Sequence, residues 1–279
     1  MAILTREDVE GRVAEGKTLE RIDLEGINLQ GSKLEGARFI NCQMANAQFS
    51  EAVVDCADFS GTDLTGANFR EARLRESMFH GCNLTDADLS GCVLIEASFK
   101  GARMERTVLQ DANMGTVFLH EMTALMSDFT GVDLRRGYLK ESRFHLCVFD
   151  DAQADMMQAF KGDFTGSSMR RVSLDRAMLA GVNFSMVNLT ESSLRGCSMK
   201  HVNFFMATLN NAKFTKSNME QAHFLRARGE AAIFNGANLQ GANLRDAILT
   251  DGNFDQAVMM QTVTENANFE GSSFQGTRK

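Results

Sequence analysis

Large apolar residues recur at every fifth position of this chain. One unbroken register runs from Leu19 to Phe274 through 52 positions, of which 46 are Leu, Phe or Met. Two residues before nearly every one of them stands Ala, Ser, Thr, Val, Cys or Gly, as in Ala67-Asn68-Phe69-Arg70-Glu71 and Ala237-Asn238-Leu239-Gln240-Gly241. Five steps advance an α-helix by about 500° and reverse the side-chain direction on a strand, so neither element sustains this period. The pattern is satisfied when a small and a large residue, two apart on a short extended piece, both point inward and the residue between them points out. The next two residues then turn a corner. Glycine is frequent at the second corner position, at Gly26, Gly31, Gly36, Gly61, Gly66, Gly236 and Gly241, where the missing Cβ admits left-handed backbone angles. Repeated corners wind the chain into a solenoid whose coils bury one continuous core.

These repeats resemble the pentapeptide-repeat proteins, whose motif is written A-(D/N)-L-x-x, and the resemblance covers residues 17–276. It implies an all-β fold, a right-handed quadrilateral parallel β-helix with four pentapeptides per coil and hence about 13 coils. Residues 1–16 break the pattern. They read as a short N-terminal α-helical cap, with Thr5 as N-cap, Glu7 and Asp8 in the first turn, Gly16 as stop, and Leu4, Val9 and Val13 placed to cover the first coil. Residues 17–279 are expected to form one β-helical domain together with that cap. No second cap follows Phe274, so a homodimer through the C-terminal coil is expected. Ala154 and Ala159 replace two consecutive large inward residues, which predicts a bulge or register shift near Asp155 to Phe160. Ala124, Gly229 and Thr264 are isolated weak points of the same kind.

Composition changes this picture little. The 279 residues contain no Pro and no Trp, as expected where proline would remove a ladder donor from nearly every coil. Of 21 Phe, 18 occupy the central inward position, and Phe118, Phe160 and Phe205 are the exceptions. Cys42, Cys82, Cys92, Cys147 and Cys197 take the small inward position in place of Ala, and only Cys56 falls at a corner. His80, His120, His145, His201 and His223 do not gather, so no metal site is expected. G-x-S-x-G, P-loop and H-E-x-x-H motifs are absent, and a regular solenoid offers no deep pocket for tuning an acid or base. The reading is non-enzymatic, with no catalytic residue and no cofactor. Met1-Ala2-Ile3-Leu4 passes directly into Thr5-Arg6-Glu7-Asp8, which gives no signal peptide, no membrane segment and an expected cytoplasmic location.

Function is then sought on the surface, where residues twenty apart should be vertical neighbours. The first candidate is apolar. Leu125, Met126, Leu146, Met186, Phe205, Met206 and Leu225 fall at corner positions of one wall, and Phe118, Tyr138 and Phe160 lie on or beside the preceding wall. The second is the wall centred on Leu29, Phe49 and Phe69, with a net charge of about −7 and the acids Glu51, Asp88, Asp111, Asp128, Asp150, Asp151, Glu191, Asp251 and Glu270, interrupted by Arg170 and Arg171. The chain's net charge is −7, with 29 Lys and Arg. The Leu4-Thr5-Arg6-Glu7-Asp8-Val9 helix, Gly16, Leu19, Leu24 and Leu29 resemble the starts of pentapeptide modules that accompany bacterial type VI secretion spike and effector genes. That resemblance implies an adaptor or scaffold for a protein partner, contacted through the apolar stripe. The alternative implied by the family is a DNA mimic that binds or protects DNA gyrase or topoisomerase through the acidic wall, without itself binding nucleic acid.

Overall fold

A computed structural model describes residues 4–279, so the first three residues of the expected cap lie outside the described region. The chain divides into two compact units, Met1–Tyr138 and Leu139–Lys279. Each is a right-handed parallel β-helix with four-sided coils. Formal strands are short. In the first unit β1 (Leu19–Glu20) pairs in parallel with β2 (Phe39–Ile40), and β3 (Arg103–Glu105) with β4 (Thr123–Leu125). The second unit holds β5 (Arg143–His145). Elsewhere single parallel bridges join residues twenty apart, such as Asp23 with Gln43 and Asn218 with Asn238.

Each coil is tied to the next by backbone bonds running along the helix axis, as from Leu19 N to Arg38 O (2.8 Å) and from Gln43 N to Ile22 O (3.0 Å). At the corner the second residue turns into the left-handed region, with φ of 64° at Gly26 and 70° at Gly61. Many non-glycine corners adopt the same angle. The Asp or Asn that points out before the large residue accepts from the backbone two residues on, as Asp23 does from Glu25 N at 3.1 Å, which fixes the start of the turn.

Inside the first unit Phe39, Phe59, Phe79 and Phe99 stack at 5.3, 5.1 and 4.7 Å between successive centroids. Phe49 and Phe69 face them from the opposite wall, both edge-on to Phe59. The second unit repeats the device with Phe214, Phe234, Phe254 and Phe274. At several positions the small inward residue carries a hydroxyl or thiol that donates to a carbonyl of the preceding coil, as Thr62 Oγ1 does to Phe39 O (2.6 Å) and Cys82 Sγ to Phe59 O (2.9 Å). All six cysteines are free thiols. Burial pushes Cys82, Cys92 and Cys197 up to about 12, so they stay protonated and unreactive.

The cap is α1 (Arg6–Ala14), closed by a reciprocal capping box between Thr5 and Asp8. Val9 is fully buried against the first coil, while Leu4 and Val13 are half-buried. Glu10 is the polar anchor. Its carboxylate accepts from Ser32 Oγ (2.7 Å) and from Arg6 Nε (2.8 Å), and Arg6 also donates to Gln30 O (3.0 Å).

The expected distortion near Asp155 to Phe160 does not occur. Ala154 N reaches Ser173 O at 2.7 Å, Ala159 N reaches Met178 O at 3.0 Å, and the bridges Gln153 to Ser173 and Gln158 to Met178 keep the twenty-residue step. At Ala159 the reason is an exchange of volumes within one pentapeptide, whereas Ala154, with Ala152 at its small position, keeps the register without one. Met157 occupies the small inward position and is buried, which places its bulk beside Ala159 without moving the backbone. Met122 and Ala124 make the same exchange in the first unit. Phe160 and Met156 stay outside the core, half-buried and exposed respectively. At Gly229 the neighbours close the gap instead, since a Cβ there would lie 3.1 Å from Leu209 Cβ and 3.2 Å from Leu249 Cδ2. Thr264 is exposed in the last coil, where Phe269 and Phe274 are half-buried beside a concavity of about 440 Å³ and Lys279 Nζ lies 4.9 Å from the Phe274 ring centre.

Two outcomes follow from this packing. Met157→Ala should cost about 2–4 kcal/mol in chemical denaturation, and adding Ala159→Met should restore most of it; lack of rescue would exclude volume exchange as the reason the register holds. The bonds from Ser32 and then Arg6 hold the Glu10 carboxyl below the usual glutamate range. A depressed carboxylate stabilises above its unfolded pKa, about 4.3, and loses that contribution as pH falls through the folded value. The difference in thermal midpoint between the wild-type chain and Glu10→Gln should therefore be largest near neutrality and close in acid.

Candidate protein-binding surfaces

The corner wall of the first unit places Leu125 half-buried and Met126 at 51% exposure. Phe118 and Tyr138 project from the preceding wall as vertical neighbours, with rings stacked 5.2 Å apart and 6° from parallel. Both are half-buried, each covering one face of the other. In the second unit Leu146, Met186 and Met206 occupy one corner column at 56%, 52% and 49% exposure. Leu146 leans over Gly166, where an added Cβ would meet its Cδ2 at 2.8 Å. Met186 and Met206 are direct vertical neighbours, and the adjacent column carries Phe205 and Leu225. Met186 N bonds to Phe205 O at 2.8 Å and Met206 N to Leu225 O at 3.0 Å, so these four residues form one continuous patch. Phe160 sits at a different corner and does not join it.

Beside that patch lies a shallow concavity of about 530 Å³, lined by Phe205, Leu225, Arg226, Asn243, Arg245, Asp246 and Asn266. Arg245 pairs with Glu265 at 3.0 Å. The polar rim is not marked by any outward apolar residue in the sequence, though Arg226 and Asp246 lie in the corner column of Met206 at the same twenty-residue step.

The acidic wall is less charged in effect than its composition. In the first unit Asp88 accepts from Ser90 and pairs with Arg70 at 3.2 Å. Burial works to raise its pKa, but the Ser90 and Arg70 bonds hold it below the ordinary value. Asp128 accepts from Thr130 and from Gln110 (2.7 Å), whereas Glu51 and Asp111 are exposed. In the second unit Asp151 takes both arms of Arg171 at 2.7 Å, which lowers its pKa. Asp150 is held by Ser168 Oγ and Arg170 N, while Glu191, Asp251 and Glu270 are exposed.

Among the described residues no group of three or more His, Cys, Asp or Glu is placed to hold a metal ion. His80 Nε2 contacts Ser98 Oγ at 2.7 Å and His145 contacts Asp163 at 3.0 Å, each a separate local bond. No helix of the described residues is long and apolar enough to cross a membrane.

Three family profiles match the chain: a pentapeptide repeat region over residues 32–100 and 167–230, pentapeptide repeats in eight copies over 222–261 and 237–276, and pentapeptide repeats in nine copies over 79–123. No curated protein matches it. Among solved structures, HetL, a pentapeptide repeat protein involved in heterocyst differentiation regulation from the cyanobacterium Nostoc sp. strain PCC 7120, is 24% identical, with 97% of each chain covered and a TM-score of 0.24. A pentapeptide repeat protein of the Arabidopsis thaliana thylakoid lumen is 26% identical over 46% of this chain and 71% of its own, with a TM-score of 0.29. Full-length QnrB1, a plasmid-mediated fluoroquinolone resistance protein, is 17% identical over 90% of each chain, with a TM-score of 0.17. The five-residue comb, the twenty-residue ladder and the three matching profiles agree, and the chain belongs to the pentapeptide-repeat family.

Proposed function

We propose that this protein is a non-enzymatic scaffold that binds a protein partner through the patch of Met186, Phe205, Met206 and Leu225 in its second unit. The observation that carries the reading is their contiguity: four large apolar side chains adjoin at one corner, with two half-exposed methionines and an open concavity beside them. Methionine adapts its shape to a partner at low cost, and apolar anchors beside polar groups are the usual core and rim of an interface. In the first unit Leu125 and Met126, with the Phe118 and Tyr138 stack, offer a smaller surface of the same character. Neither the family descriptions nor these solved structures mention type VI secretion, and the partner proposed is simply a protein.

The gyrase-directed alternative would use the acidic wall. Its support is the exposed set Glu51, Asp111, Glu191, Asp251 and Glu270. Its weakness is that Asp88 and Asp151 are already neutralised by arginines, so the wall lacks the uninterrupted charge of a duplex. A second copy of the chain is proposed to pack on the last coil, where Phe269 and Phe274 are incompletely covered.

An affinity pull-down from host lysate, comparing the wild-type chain with Phe205→Glu, Leu225→Glu, should show one specific partner lost from the variant and retained at about 0.3 M salt. Retention by both proteins would exclude the apolar patch. Supercoiling inhibition that falls with salt and with charge reversal at Asp150 or Glu191 would instead support the acidic wall. For self-association, light scattering should give twice the 30.8 kDa chain mass and revert to a single chain in Phe274→Glu; a single-chain mass for the wild type would remove the dimer.

A further inference from the structure

The second unit carries a basic facet on a protein whose net charge is −7. The pentapeptides 172–176, 192–196 and 212–216 lie one above another on the same wall and hold four cations, Arg176, Arg195, Lys213 and Lys216, against one carboxylate, Asp175. Arg176, Arg195 and Lys216 are exposed, Lys213 is half-buried, and none of the four has a carboxylate within ion-pair distance among the described residues. The Asp175 carboxylate lies within the facet, beneath Arg195, where it accepts from Ser193 Oγ and from Arg195 N. Some exposed arginines of this chain find an acid, as Arg106 does Asp86 and Arg171 does Asp151, and others such as Arg38 and Arg75 have none within ion-pair distance among the described residues; what sets these four cations apart is that they stack over three successive coils of one wall.

Geometry turns the group into a surface. Arg176, Gly196 and Lys216 occupy one corner column, a span of roughly 10 Å over two coil steps. Gly196 has no side chain to fill its place, and the Arg176 stem runs over it, with Cγ 3.9 Å from where a Cβ would stand. Arg195 precedes this glycine in the chain. Arg176, Arg195 and Lys216 therefore surround a position that carries no side chain of its own. In the column of Arg195 the positive zone is bounded on one side by Asp175, one coil step away, with Asp155 beyond it, and on the other by Asp255, three steps away.

We infer that this facet docks a short acidic segment of a protein partner, with two or three carboxylates seated against Arg176, Arg195 and Lys216. Carboxylates on alternate residues of an extended peptide are about 7 Å apart, so two fall within the roughly 10 Å column and a third reaches past its end, at about 14 Å. Arginine matches a carboxylate with paired donors, which gives direction as well as charge. A nucleic acid fits less well. Its backbone charge continues past any short site and would meet Asp155 and Asp255, and the outward residues on this wall, Ser173, Ser193, Lys213 and Ile233, include no aromatic ring on which a base could stack. The facet goes beyond the function proposed above, because it lies at the corner of the coil diagonally opposite Met186 and Met206 and its occupancy does not depend on theirs.

Fluorescence anisotropy with labelled hexaglutamate tests this directly. The full chain should bind the peptide, and the triple variant Arg176→Glu, Arg195→Glu, Lys216→Glu should weaken binding by at least about tenfold. A reversal of equal size elsewhere, Arg21→Glu, Arg38→Glu, Lys100→Glu, should leave binding within about twofold, which separates a local site from bulk charge. Circular dichroism should match wild type for both triples, since all six side chains are exposed; if the facet triple misfolds, the single variant Arg195→Gln must show the same direction of loss. No peptide binding by the wild-type chain, or equal binding by the facet variant, overturns the proposal. Tighter binding of a labelled oligothymidylate than of hexaglutamate would also overturn it, in favour of a nucleic-acid site.

Discussion

The structure depends on one repeated interaction, the backbone hydrogen bond between residues about twenty apart. It is made on every side of every coil, so the chain must present its N–H and C=O groups along the axis at each step. Two consequences follow from that single demand. Proline cannot supply the donor, and the chain has none. The corner must rotate the backbone so that the N–H of its second residue also points along the axis, as Gly26 N does to Ala45 O and Arg21 N to Ile40 O. Only the left-handed region does this, and residues other than glycine accept a cost of roughly 1 kcal/mol there. Even the β-branched Thr116 complies, at φ 57°. The ladder outweighs a conformational preference that would govern an isolated turn.

Because the ladder fixes the backbone, the core adjusts by side-chain volume alone. That is why the pair Met157 and Ala159 leaves the register intact although the large and small positions are exchanged. At this pentapeptide the backbone is indifferent to which of the two inward residues is large, and at Ala152 and Ala154 it holds its register with neither large. Gly229 shows the other route, in which Leu209 and Leu249 from the coils on either side take up the gap. Both solutions are local, and neither propagates to the next wall.

The comb, the inward and outward assignment, the capping helix and the free cysteines were legible because each is a pattern of residue type at fixed spacing. The Met157 exchange was not, because a bulge or register shift, and not a swap of the large and small positions, was expected to answer the deficit at Ala159. The apolar patch was legible as a column, but its limits were not: Phe160, read beside the preceding wall, stands at a different corner from Met186 and Met206. The basic facet escaped for a different reason. Summed over a whole wall, Arg176, Arg195, Lys213 and Lys216 are offset by distant acids such as Asp255, so the average is small where the local field is not. Charge on a solenoid has to be read over the few coils within a screening length, about 8–10 Å, rather than over the full wall.

That length also bears on how one unit can address a partner. In the second unit the apolar patch and the basic facet share the same few coils but face opposite corners, across a core too tightly packed to deform. A single flat contact cannot cover both. A partner using both must wrap the coil or present two segments, and an effective concentration set by the connecting chain would then raise affinity without any new contact. A partner using one leaves the other free for a second molecule. The two surfaces differ in physical character, one resistant to salt and one sensitive to it, so occupancy of each responds to ionic strength independently. A rigid four-sided coil therefore supplies what a scaffold requires, separate contacts whose energies add because no backbone motion couples them.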